Sequence, residues 1–105
     1  SGGDTMSILF TGDAARLPET ARPALEKLAA RLEKDEGLGL QLLAYADGDD
    51  ASASKARRLS LSRALEVRKV LMDQGVRSTR IEVRALGNKS DGGPADRVDA
   101  ILIAR

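Results

Sequence analysis

The sequence predicts an α/β fold, an α+β sandwich in which two helices pack on one face of a mixed four-stranded sheet. Four short apolar runs have the composition of strands, and helical repeats lie between the first three of them. Helices between strands require crossover connections, which bring both helices against the sheet. No helical pattern separates the last two strands, so we expect at least one antiparallel pair. The predicted order of elements is β-α-β-α-β-β.

The first half of the chain predicts a strand, a helix and a second strand. Residues 6–10 form a short apolar run that ends at a Thr-Gly-Asp turn. Residues 40–45 are apolar almost without interruption, which is typical of a strand at the centre of a sheet. The segment between them repeats apolar residues at spacings of four, three and four, which predicts a helix with one buried stripe: Ala21, Leu25, Leu28 and Leu32.

The second half predicts a long helix and two further strands. The helical pattern runs over residues 52–74, and Gly75 ends it. Residues 81–85 alternate apolar and polar side chains, as a half-buried strand does, and residues 98–103 form the last strand. The polar, Gly-rich segment 87–94 between them predicts a loop. The buried stripe of the long helix is expected to consist of Ser60, Ala64, Val67 and Leu71.

The composition excludes several classes of function. The 105 residues include no Cys, His or Trp, so the chain has no disulfide, no Cys or His zinc site, no thiol nucleophile and no imidazole acid or base. Phe10 and Tyr45 are the only Phe or Tyr residues, which argues against a base-stacking platform for nucleic acid. The net charge of +1 gives no reason to expect DNA as a partner. We therefore expect a binding domain without cofactors rather than an enzyme.

The near-neutral total hides an uneven distribution of charge. Residues 1–50 carry 10 acidic and 5 basic side chains, whereas residues 51–84 carry 9 basic and 3 acidic ones. Such a change of sign predicts either an anion site or, more simply, a basic solvated helix that faces an acidic element. Asp47, Asp49 and Asp50 have the spacing of a calcium loop, but no Glu stands where the bidentate ligand is needed, so no metal site is predicted.

The opening residues of the chain suggest a domain cut from a longer protein. Residues 1–5 are expected to be a linker or residues left from cloning, and residues 6–105 are expected to form a single domain. No apolar run reaches the about 18 residues that a membrane-spanning helix needs, and no signal peptide is visible. Any membrane anchor would therefore belong to another part of the parent protein.

The long helix and the segment after it carry a specific pattern. Its residues are Leu59, Ser60, Arg63, Ala64, Val67, Leu71, Gly75, Val76, Arg80 and Ile81. This spacing resembles the Leu-Ser-x-x-Arg-Ala, Val, Leu, Gly-Val and Arg-Ile pattern of the OmpA-like C-terminal domain family. Tyr45-Ala46-Asp47 falls where that family has Gly-Tyr/His-Thr-Asp, and Arg97-Val98-Asp99 falls on its Arg-Val-Glu. The resemblance extends over residues 6–103.

The resemblance implies both a fold and a function. The family's fold is β-α-β-α-β-β with a mixed sheet, which agrees with the order predicted above. Its members are non-catalytic periplasmic domains that hold membrane-associated bacterial envelope proteins to the cell wall, by binding the diaminopimelate of the peptidoglycan stem peptide. Transferred residue by residue, the ligand-binding residues are Asp47 after the second strand and Arg63 on the long helix, with Arg97 as a support. Other envelope proteins are further candidate partners.

The chemistry of this ligand suits such a pair of residues. Diaminopimelate presents an ammonium and a carboxylate on one carbon, and an Asp and an Arg a few ångströms apart complement those two charges. An Arg offers a planar fork for bidentate binding of a carboxylate, which a Lys does not. A simpler interpretation gives Asp47 a turn-stabilising role and lets Arg63 pair with Asp47 or Asp49, so that the loop is held to the helix.

Four departures from the family's pattern support an alternative function. Ala46 replaces a Thr, Ala56 replaces an Asn that lines the family's site, and Asp96 stands at a basic position. The loop between Gly87 and Arg97 is also several residues shorter than usual. Each lost hydrogen-bond partner of a buried charged ligand costs about 1–3 kcal/mol. The alternative is therefore an OmpA-like scaffold that serves as a protein-interaction or structural domain and does not bind peptidoglycan.

Overall fold

The computed structural model describes residues 5–105, and its elements follow the predicted order. The predicted linker therefore lies outside the described residues, apart from Thr5, which is the first residue of a strand. The strands are β1 (Thr5–Leu9), β2 (Leu38–Tyr45), β3 (Ile81–Gly87) and β4 (Arg97–Ala104), and the helices are α1 (Arg22–Lys34) and α2 (Ala53–Asp73). The predicted fold class, a mixed four-stranded sheet with two helices, is confirmed.

Proline and glycine residues explain where α1 begins and where α2 ends. A 3-10 turn at Glu19–Ala21 leads into α1, and Pro23 lies in the first turn, where its missing N–H costs no intrahelical bond. The long helix α2 ends at Asp73, and Gly75 follows with φ +100°, a left-handed conformation that favours glycine. The predicted end of the long helix at this glycine is confirmed.

The sheet has the strand order β1-β4-β2-β3, with β2 and β4 at its centre. The crossover helix α2 joins β2 to β3, and these two strands are parallel. The last strand, β4, is antiparallel to both β1 and β2. The expected antiparallel pairing is thus confirmed, although β4 does not pair with β3, the strand that precedes it along the chain.

The core lies between the sheet and the two helices. Every second side chain of β2 (Leu40, Leu42 and Ala44) is fully buried, whereas Leu43 on the opposite face is only half-buried. The central position predicted for this strand is confirmed. The helices contribute their predicted stripes to the buried side of the sheet, and the fully buried members are Leu25, Leu32, Ser60, Ala64, Val67 and Leu71.

This topology brings three loops together at one end of the sheet. The parallel strands β2 and β3 end there, and the antiparallel strand β4 begins there. We call residues 10–14, 46–50 and 88–96 the loop end. Backbone hydrogen bonds hold these loops in place, since Ala46 N–H donates to Gly87 O at the end of β3 over 2.9 Å and Phe10 N–H donates to Asp96 O over 3.0 Å.

Candidate functional site

Arg63 projects from α2 into the loop end. It lies three residues after Ser60 and four before Val67, on the stripe of the helix that faces the core. Its side chain is entirely shielded from solvent, with an exposed fraction of 0%. A charged group in such a position requires hydrogen-bond partners and an opposite charge, because desolvation of an unpaired ion is very costly.

The guanidinium of Arg63 meets that requirement through four hydrogen bonds. Its Nε donates to Ala14 O over 2.8 Å, and its Nη2 donates to Gly12 O over 2.7 Å. Its Nη1 donates to Tyr45 O over 3.2 Å and to Asp96 Oδ1 over 2.7 Å. Four of the five N–H groups that a guanidinium offers are thereby used. Arg63 consequently connects the loop after β1, the end of β2 and the start of β4 to helix α2.

Asp96 is the ionic partner of Arg63. The same oxygen, Oδ1, also accepts a hydrogen bond from Asp47 N–H over 3.0 Å. Burial raises the pKa of Asp96, but the hydrogen bonds from Arg63 and from Asp47 N–H, together with the charge of Arg63, outweigh that effect and lower the pKa. Asp96 is therefore ionised at neutral pH, and the Arg63–Asp96 pair carries no net charge.

Asp47 presents an open carboxylate at the surface. Its backbone N–H is bound to Asp96, whereas its side chain is exposed. Within residues 5–105, the Asp47 carboxylate accepts no hydrogen bond and forms no ion pair. The loop end thus contains both Asp47 and the side chain of Arg63, which are linked through Asp96, and within residues 5–105 no hydrogen bond or ion pair joins their side chains directly. The open group of this site is a single carboxylate, which suits an ammonium group.

The other polar groups of the loop of residues 46–50 form hydrogen bonds with neighbouring residues. Asp49 and Ser52 form a capping box, in which Ser52 N–H donates to Asp49 Oδ1 over 2.9 Å and Asp49 N–H donates to Ser52 Oγ over 3.1 Å. The hydrogen bonds from the Ser52 side chain and backbone lower the pKa of Asp49. Asn88 Nδ2 donates to Gly48 O over 3.1 Å and holds this loop to the next one. Asp49 therefore caps the entry to α2 rather than pairing with Arg63.

Arg97 holds the loop of residues 88–96 closed. Its Nε donates to both carboxylate oxygens of Asp99, over 3.0 and 3.1 Å. Its Nη1 donates to Ser90 Oγ over 2.7 Å, to Gly92 O over 2.9 Å and to Pro94 O. Its Cζ lies 4.3 Å from the centroid of the Tyr45 ring. With 12% of its side chain exposed, Arg97 braces the wall of the loop end.

The small side chain of Ala56 lets the loop of residues 46–50 lie directly on α2. Ala46 and Ala56 are both buried. A Cβ atom on Gly48 would lie 3.1 Å from Ala56 Cβ, so a larger side chain at Gly48 or at Ala56 would displace the loop. The Asn of the family's pattern has no equivalent at Ala56.

Sequence reasoning missed the pairing of Asp96 with Arg63 and the bracing role of Asn88. It identified Asp96 only as an acidic residue at a position where the resembled pattern is basic. That reversal of charge was the available signal, because a buried Arg needs an opposite charge close by. For Asn88, which lies in a loop predicted only as polar, the sequence carried no such signal.

Comparisons with known proteins agree with the fold and with the pattern on α2. The sequence model of the OmpA family matches residues 9–98. The OmpA-like domain of FopA1 from Francisella tularensis is similar at TM-score 0.83 and 20% identity, over 96% of this chain and 75% of that chain. The peptidoglycan-associated lipoprotein of Burkholderia pseudomallei is similar at TM-score 0.77 and 21% identity, over 94% of this chain and 89% of that one.

A third similar structure is the C-terminal domain of Helicobacter pylori MotB, at TM-score 0.78 and 18% identity, over 95% of this chain and 85% of that chain. At this level of identity, the three structures establish the fold. No curated protein matches the chain in sequence.

Proposed function

Because the chain belongs to the OmpA family, we propose that it is a non-catalytic domain that binds peptidoglycan and thereby holds a bacterial envelope protein to the cell wall. One structural neighbour is named for its association with peptidoglycan, and that domain and this chain cover most of each other's length. The domain would act in the periplasm as part of a membrane-associated protein. Neither helix of residues 5–105 has the length and hydropathy of a transmembrane segment.

The observation that carries this proposal is the convergence of Asp47, Arg63 and Arg97 at the loop end. The open carboxylate of Asp47 forms an ion pair with the ammonium of diaminopimelate in the stem peptide and accepts hydrogen bonds from it. Arg63 positions the loops around that carboxylate, and Arg97 supports the neighbouring wall. On this proposal Asp47 binds the ligand, and the contacts of Arg63 and Arg97 support their positioning roles.

A second candidate function is a scaffold that binds a protein and not peptidoglycan. Two observations favour it. Asp96 already neutralises the charge of Arg63, and Ala56 has no side-chain amide that could bind a ligand. On this alternative, the loop end is a closed structural unit, and the Asp47 carboxylate has no role in binding.

Co-sedimentation of the domain with purified peptidoglycan sacculi separates the two functions. If Asp47 binds the ligand, Asp47→Asn lowers the bound fraction strongly, because the ammonium loses its counter-charge. The matched control is Asp73→Asn, which makes the same change of charge at the far end of α2 and leaves binding unchanged. Wild-type protein that stays in the supernatant, or equal binding by the two variants, would favour the scaffold. Arg63→Ala is unsuitable here, because Arg63 also holds the loops.

A further inference from the structure

The Arg63 guanidinium has no open position for a carboxylate of the ligand. It is fully shielded, and the described contacts use four of its five N–H groups. The position facing Nη1 is occupied by Asp96, 2.7 Å away. A ligand carboxylate could bind Arg63 only by displacing that of Asp96. Asp47 N–H would then lose its acceptor as well.

Such an exchange of carboxylates would add nothing to the binding free energy of the ligand. One carboxylate would replace another on the same guanidinium, so the number of charge-assisted hydrogen bonds would not rise. Asp96 also has the advantage of being tethered, because an intramolecular group competes at an effective concentration that is commonly millimolar or higher. Asp96 therefore acts as a built-in carboxylate that excludes a carboxylate of the ligand.

The remaining surface also opposes a carboxylate. The three loops of the loop end contain one basic residue, Lys89, which is exposed. Their acidic residues are Asp13, Asp47, Asp49, Asp50, Asp91 and Asp96. A ligand ammonium that reaches Asp47 is attracted by this surface, whereas a carboxylate on the same carbon is repelled.

We propose that Asp96 determines the specificity of the site, so that the domain selects a stem peptide whose ammonium group has no ionised carboxylate beside it. The ligand class is a peptide with amidated diaminopimelate, or with lysine, at the position where other stem peptides have free diaminopimelate. This inference rests on the proposed function, because it names the form of stem peptide that the same site takes.

The test is a titration of the domain with three soluble stem peptides, which carry diaminopimelate, its amidated form or lysine. Amide chemical shifts report the dissociation constants. We expect the amidated and lysine peptides to bind wild-type protein at least about tenfold more tightly than the free form. Free diaminopimelate brings a carboxylate against the acidic residues of the loop end, and repulsion between like charges at an interface weakens binding by more than this factor. This comparison on the wild-type protein requires no substitution and therefore does not depend on how a variant folds.

Asp96→Asn tests the residue itself. Asparagine keeps an oxygen that can accept from Arg63 and from Asp47 N–H, but it removes the negative charge. The tenfold preference should then shrink or reverse. Asp73→Asn, which makes the same change of charge at an exposed position outside the loop end, should preserve the preference.

The outcomes separate this inference from the proposed function. Tighter binding of the free diaminopimelate peptide by wild-type protein, or an equal effect of the two variants, overturns the role of Asp96 and leaves peptidoglycan binding intact. A wild-type protein that binds none of the three peptides and does not sediment with sacculi overturns both.

Discussion

Arg63 shows how a buried charge can be accommodated by the backbone. Three of its four hydrogen bonds go to carbonyl groups, at Gly12, Ala14 and Tyr45, and the fourth goes to Asp96. The ring of Phe10 lies 5.1 Å from its Cζ and covers the guanidinium. The geometry matters as much as the charge, because one planar fork serves acceptors on three different segments.

Replacing Arg63 by Ala should lower the free energy of unfolding by about 3–5 kcal/mol, the usual cost of removing one partner of a buried ion pair. The substitution strands the Asp96 carboxylate and three carbonyl groups. Urea denaturation measures the loss, with Arg58→Ala as the control on an exposed position of the same helix. A loss no larger than that of the control would contradict the bracing role of Arg63.

Ser60 is a second buried polar residue whose role is structural. Its Oγ donates to Arg57 O over 2.8 Å and accepts from Gly87 N–H over 3.1 Å, so it links α2 to the end of β3. Ser60→Ala would leave the Gly87 N–H without its acceptor, and we expect the stability to fall by about 1–3 kcal/mol. Ser62→Ala, on the exposed face of the same helix, should change it by less than about 0.5 kcal/mol. Equal melting temperatures for the two variants would refute this assignment.

At the scale of elements, the close approach of β3 to α2 shapes the loop end. The register of the parallel pair shifts at Ala44/Tyr45, so that Tyr45 lies opposite Gly87 and Leu86 is an extra residue. Gly87 has φ +58°, and a Cβ on it would lie 3.1 Å from the Cα and N atoms of Arg57. Glycine is thus required at this position both for its conformation and for the space it leaves, and it turns the chain into the loop of residues 88–96.

Gly87→Ala should therefore combine two penalties. The left-handed conformation alone costs an alanine about 1–2 kcal/mol, and the contact with the Arg57 backbone adds to this because a backbone cannot move aside as a flexible side chain can. Gly75→Ala is the matched control, since Gly75 has φ +100° with no atom within 4 Å of its added Cβ. Chemical denaturation of both variants separates the two contributions, and an equal loss of stability would exclude the steric one.

At the scale of the whole molecule, local periodicity predicts the elements but not their neighbours. The stripes of Leu25 and Val67 and the alternation in β3 are properties of short segments, so the sequence predicts those elements and their order. The central position of β4 depends on pairings with β1 and β2, which are distant along the chain. Periodicity carries no information about such partners.

The same limit applies to the candidate site. A motif locates Asp47 and Arg63, because the residues of a motif stand at fixed spacing in the sequence. Asp96 lies 33 residues beyond Arg63, and only the folded sheet brings the two together. The resemblance therefore predicts that Asp47 and Arg63 belong to one site, whereas the pairing of Arg63 with Asp96 required the structure.

The lowered pKa values of Asp49 and Asp96 make the stability of the molecule depend on pH. Both groups bind protons less readily in the folded state than in the unfolded chain, where the ordinary value is 3.8. Their contribution is therefore complete above that pH and is lost as the pH falls through the folded-state pKa values. Urea denaturation at a series of pH values below neutrality should show a free energy of unfolding that falls on acidification.

Asp96→Asn identifies the part of this dependence that belongs to the Arg63–Asp96 pair. Near neutral pH the variant should be less stable than the wild type, because Arg63 loses its counter-charge. In strong acid the wild-type Asp96 is protonated and neutral as well, so the difference between the two proteins should shrink as the pH falls. A difference that stays constant across the whole range would mean that Asp96 acts through packing or hydrogen bonding and not through its charge. In that case the pair could not supply the built-in negative charge on which the proposed ligand selectivity depends.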